Sequence, residues 1–159
     1  MTQDAVAPSL DQAVTAFETR YQRYLDDMVA VKERTSHVRV ASTFFTQKRP
    51  FADDPVHAEA LADLTSLAGD VTSAIPGDRE GGEELGRVTR LVLARKDINQ
   101  SEYWPLVALE GLAKPWLPGL QLSDLESISQ AYCQANPRFG CLPNQRGIRA
   151  ELQRLLKQR

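Results

Sequence analysis

An all-α fold, one bundle of five or six helices opening with a long antiparallel hairpin, is what this sequence predicts, and three observations carry the prediction. Leu10, Val14, Phe17, Tyr21, Tyr24, Met28 and Val31 follow one another at steps of four and three. On a helix of 3.6 residues per turn these side chains form one continuous apolar stripe. Leu61, Leu64, Ala68, Val71 and Ile75 repeat the same steps after a short connection, so the two stripes can close on each other as a helical hairpin. Finally, His37-Val38-Arg39-Val40 reads as a short strand with no second strand to pair with, and an isolated strand is not stable.

Residues 1–8 are expected to be a flexible tail and 9–159 one helical domain. Ser9 serves as N-cap of the first helix, with Asp11 in the first turn where the helix dipole favours negative charge. Beyond Val31 the rhythm continues weakly through Thr35, Val38, Ser42 and Phe45. Over 35–47 helix is therefore favoured over strand, with a break near Thr35 and an end at Lys48-Arg49-Pro50. A stripe of this length must be buried against another helix, in this chain or in a second copy, so a homodimer through the first helix is the alternative.

Asp53-Asp54-Pro55 reads as a turn and cap before a second helix over Val56 to Ile75. An acidic loop is expected near 76–84, and its Gly81-Gly82 pair sits among carboxylates in no phosphate-binding pattern. The third helix, about Glu83 to Lys96, is apolar on more than one side and is expected to be central. Asn99 and Glu102 have capping-box spacing ahead of a fourth helix, which Lys114-Pro115-Trp116-Leu117-Pro118-Gly119 should stop. Ser123 and Glu126 have the same spacing ahead of a fifth helix, through Leu125, Ile128, Ala131 and Tyr132. A proline-bounded loop over 136–143 leads to a basic last helix over 145–158.

Hydrophobic residues make up 42% of the chain and charged ones 25%, values that exclude wholesale disorder. No apolar run is long enough to cross a bilayer, and the N-terminus lacks the pattern of a secretory signal, so a cytoplasmic protein without membrane contact is expected. Cys133 and Cys141 are then expected to be free thiols, with a short disulfide as the alternative for an exported protein. Together with His37 and His57 they match no zinc spacing, so neither metal nor cofactor is expected.

The net charge of −2 conceals an asymmetry. Between Phe51 and Leu85 nine carboxylates face Arg79 alone, whereas residues 136–159 hold six cations against Glu151 alone. That distribution points to internal complementarity or to a polar partner surface.

Arg146, Arg149, Gln153 and Lys157 fall within about 80° of arc on the last helix, opposite Ile148, Leu152, Leu155 and Leu156. Arginine suits phosphate oxygens because its planar fork donates two hydrogen bonds at once, and Arg138 beside Phe139 would extend such a surface. The plain alternative is a solvated helix face, and the acidic pI of about 5.7 argues against a nucleic-acid protein. Tyr103, Trp104 and Trp116 are candidates for a protein-contact patch, with core packing as their competing role.

No catalytic residue emerges. Neighbouring acids such as Asp26-Asp27 point about 100° apart on a helix, and neither histidine has a nucleophile and orienting group nearby in sequence. The expectation is a non-enzymatic binding or scaffolding protein acting within a larger assembly, with a protein partner. The alternative is a nucleic-acid-associated accessory factor that contacts phosphates through the last helix.

Overall fold

The structure, a computed structural model, describes residues 6–35, 54–77, 80–94, 104–135 and 143–159. Among the described residues there are six α-helices and no strand: α1 (Leu10–Thr35), α2 (Pro55–Ala74), α3 (Gly82–Leu93), α4 (Trp104–Ala113), α5 (Leu122–Ala135) and α6 (Pro143–Gln158). A six-residue 3-10 helix (Lys114–Gly119) joins α4 towards α5. The all-α prediction is met. The segment 36–53, where helix and strand readings competed, and the capping residues proposed at Asn99 and Glu102 lie outside the described residues.

Helix α1 begins as the sequence predicts. Ser9 Oγ accepts from the Gln12 amide (3.2 Å), and Gln12 Oε1 accepts from the Ser9 amide (3.0 Å), a reciprocal capping box. From Val14 to Met28 its stripe is buried: Val14, Phe17 and Tyr24 are 0% exposed, Tyr21 and Met28 are close to that, as is neighbouring Ala13, and Leu10 is half-buried. The covering surface comes largely from α2 through Ala60, Leu64, Ala68 and Val71, within the same chain. Arg20 pairs with Asp63 at 3.0 Å, and the rings of Tyr24 and His57 meet at 5.7 Å. Later residues of α1 thus meet earlier residues of α2, the signature of an antiparallel hairpin. Helix α2 is capped by Asp54, whose carboxylate accepts from the Val56 amide at 3.0 Å, with Pro55 in the first turn where its missing N–H costs nothing.

Helix α3 is central. Leu85, Val88, Thr89, Val92 and Leu93 are buried on two sides, towards the hairpin and towards α4 and α5. Arg87 forks onto Glu18 of α1, with Nη2–Oε1 at 2.7 Å. On the opposite flank Arg90 pairs with Asp124 of α5. A β-carbon on Gly86 would collide with the Asp124 carboxylate, so the absence of a side chain there permits the close approach of α3 and α5.

Three local expectations are refined or corrected. Helix α3, expected from about Glu83, starts at Gly82, so the last residues of the acidic loop expected near 76–84 belong to the helix, where Glu83 and Glu84 meet the positive end of its dipole. The sequence from Lys114 to Gly119 ends α4 after Ala113, as expected, and itself forms a 3-10 helix whose Trp116 and Leu117 are buried. Ser123 lies inside the first turn of α5, since the Leu125 amide already donates to the Gln121 carbonyl at 2.9 Å. Asp124 stands in that first turn, paired with Arg90.

Candidate functional site

Helix α6 divides as its sequence predicts. Ile148 and Leu152 are fully buried and Leu155 is nearly so, docked against α4, α5 and the 3-10 helix. On the opposite side Arg146, Gln153 and Lys157 are exposed, while Arg149, at the edge of the stripe, is half-buried and engaged in a contact of its own. Arg146 and Lys157 are eleven residues apart, so the face extends over about 16 Å of helix. Lys114 comes alongside, its ammonium 3.6 Å from where a β-carbon on Gly147 would stand.

The remaining described cations of this end are engaged within the fold. Arg154 forks onto Glu151 at 2.5 and 2.9 Å, which holds the Glu151 carboxyl below the usual range. Arg159 donates to the Leu120 carbonyl (2.5 Å) and the Pro118 carbonyl (2.8 Å), and pairs with Glu80 at 3.4 Å. Part of the acidic middle therefore complements the basic end internally. The Gly81 amide reinforces that join by donating to the Gly119 carbonyl at 2.8 Å.

The other sequence candidates are placed differently. Trp116, proposed as a protein contact, is 0% exposed: its ring meets Phe17 edge to face, and its indole N–H donates to the Ala68 carbonyl at 3.4 Å. An indole is large enough to fill the space between the hairpin and the 3-10 helix, and its one polar atom is satisfied there. Tyr103 and Arg138 lie outside the described residues, and of Trp104 the structure gives only its place at the start of α4. Cys133 is half-buried on α5, while Cys141 and His37 also lie outside the described residues. His57 is buried against Tyr24, and burial lowers its pKa. Among the described residues no three metal-ligating side chains converge, and no helix is long and apolar enough to cross a membrane.

Sequence reasoning missed a second polar feature. Glu110 of α4 is 4% exposed, and its Oε2 accepts a 2.8 Å hydrogen bond from the Tyr132 hydroxyl of α5. The buried Gln145 side chain, from the first turn of α6, hydrogen-bonds the same carboxyl. Burial pushes the Glu110 pKa up to about 7, more than the two hydrogen bonds bring it down. The signal was present: Glu110 stands four residues after Leu106 and three before Ala113, a carboxylate at a core-facing spacing.

Open depressions mark the surface formed by the described residues. One, of about 460 Å³, runs between the end of α2 and the 3-10 helix, lined by Ile75, Pro76, Pro115 and Pro118 with Glu80 at its rim. Another, of about 310 Å³, lies along the hairpin among Arg20, Arg23, Asp27, Glu59 and Asp63, where opposite charges alternate. Neither assembles a nucleophile, a base and an orienting group.

No protein-family model, curated protein or solved structure matches this chain.

Proposed function

We propose that this chain is a non-enzymatic helical binding or scaffolding module that works within a larger assembly and meets an acidic partner protein through the exposed face of α6. One observation carries the reading. Arg146 and Lys157 stand on the side away from Ile148 and Leu152, while Arg154 and Arg159 in the same segment are paired with Glu151 and Glu80. Cations that no described residue neutralises, fixed on a docked helix, give a rigid complement to a negatively charged surface. Pairing Arg159 with backbone carbonyls also ties down the end of that helix, which lowers the ordering cost of recognition.

A second reading, a nucleic-acid-associated accessory factor, draws on the same face. Its length of about 16 Å would run beside roughly five phosphates of one strand at 3.4 Å each. The acidic balance of the whole chain, net −2, weighs against it.

Affinity capture on the full chain and on the Arg146→Glu/Arg149→Glu variant, with and without nuclease, tests both. A partner held by wild type after nuclease treatment and lost by the variant supports the first reading. Association that disappears with nuclease supports the second. Equal capture by both proteins would remove α6 as the contact face.

A further inference from the structure

Helix α2 carries Glu59, Asp63 and Asp70 and no lysine or arginine. At 100° per residue these three carboxylates fall within about 40° of arc, clear of the buried flank of Leu64, Ala68 and Val71. All three residues are exposed. Asp63 shares its charge with Arg20 at 3.0 Å, and Arg23 and Asp27 stand in the same depression. Glu59 and Asp70 form no ion pair among the described residues. They are eleven positions apart, as are Arg146 and Lys157 on α6, so the acidic and basic faces have the same length, about 16 Å. Within one molecule the two helices rest on different partners, α2 chiefly on α1 and α6 on α4, α5 and the 3-10 helix. No ion pair joins Glu59, Asp63 or Asp70 to Arg146 or Lys157, so each face keeps its charge.

We propose that the acidic partner of the α6 face is a second copy of this chain, which offers the Glu59–Asp70 face of its own α2. The inference rests on reading α6 as a contact face and names what that face meets. Opposite charge and equal length let the ends of the two faces coincide, which is the complementarity that steers association. Because the two surfaces differ, the contact is heterologous, and a pair of copies still has one acidic and one basic face free. Further copies then add head to tail. A single helix face is a small interface, so the association is weak and salt-sensitive.

Sedimentation equilibrium of the full chain from about 10 to 500 µM, in about 50 mM and about 500 mM salt, tests this without any other ligand. At low salt the average mass of wild type is expected to rise above one chain with concentration, and at high salt to fall back towards it. Arg146→Gln/Lys157→Gln keeps the acidic face and Glu59→Gln/Asp70→Asn keeps the basic one. Each variant alone should remain monomeric. Mixed in equal amounts they should form a dimer and nothing larger, since one intact face of each kind is left. A monomeric wild type at every concentration, association that high salt leaves unchanged, variants that associate as wild type does, or a mixture that stays monomeric would each overturn the proposal. All four positions are exposed, and should a variant nevertheless fail to fold, the concentration and salt dependence of wild type decides alone. A monomeric wild type that still captures a partner through α6 would sink this inference and leave the contact-face reading standing; loss of capture as well would sink both.

Discussion

The rings of Phe17 and Trp116 meet edge to face, with centroids 5.2 Å apart and planes at 89°, across 99 positions of sequence. This contact joins the N-terminal hairpin to the 3-10 helix, and both side chains are fully buried. Replacing Phe17 with Ala is expected to cost about 3–5 kcal/mol, as is replacing Trp116. In a double-mutant cycle the pair should retain a coupling of about 0.5–1.5 kcal/mol beyond their separate costs. Chemical denaturation of the four proteins checks this, and purely additive losses would show that the rings do not act on each other.

Two glycines should respond to alanine in opposite directions. Gly82 opens α3 at φ +72°, a left-handed conformation that a β-carbon strains, so Gly82→Ala should destabilise by about 1 kcal/mol. Gly69 lies on the exposed side of α2 with open space around its α-carbon, and Gly69→Ala should stabilise by about 0.5–1 kcal/mol. Thermal melts of the two variants separate backbone strain from helix propensity.

Stability should depend on pH from two sides. Glu110 is raised to about 7, so the folded chain holds a proton that the unfolded chain releases near 4.5; stability from this group is greatest at low pH and falls as pH rises through 7. Glu110→Gln should therefore gain on wild type at pH 8, by up to about 3 kcal/mol, and lose that advantage near pH 5. His57 works in the other direction. Burial lowers its pKa below 6.5, so its contribution is present above that value and declines as pH falls beneath it. Melting curves from pH 5 to 8 should show a flatter alkaline limb for Glu110→Gln, and an unchanged limb would mean that Glu110 is not buried as described.

Much of this architecture was legible because it is local. The α1 stripe, the caps at Ser9 and Asp54, the central place of α3 and the two-sided division of α6 each depend on spacings within about four residues. What escaped depends on contacts between distant elements. Arg159 counted only as one of six cations of the basic end until Pro118, Leu120 and Glu80 were placed beside it. Ser123-Glu126 resembled a capping box, but α5 already begins at Leu122, and its Asp124 meets Arg90, 34 positions earlier in the sequence. Trp116 was ambiguous because proline-rich aromatic segments suit both a surface groove and a core. The candidate site was half visible: the cations of α6 could be read from periodicity, whereas the Glu110 cluster needed three helices to meet.

Binding titrations of the purified chain test most directly the claim that α6 presents a contact face for an acidic partner. The probes are a labelled polyglutamate peptide and labelled single- and double-stranded DNA and RNA, with wild type and Arg146→Glu/Arg149→Glu compared at several salt concentrations. The expected result is salt-sensitive binding of polyglutamate by wild type, lost in the variant, with no nucleic-acid binding up to tens of micromolar at physiological salt. Nucleic-acid binding that weakens with salt by about 0.7–0.9 log units per phosphate contact would contradict that assignment and favour the accessory-factor reading. Polyglutamate binding unchanged by the double reversal, or absent from wild type, would contradict the account of α6 itself.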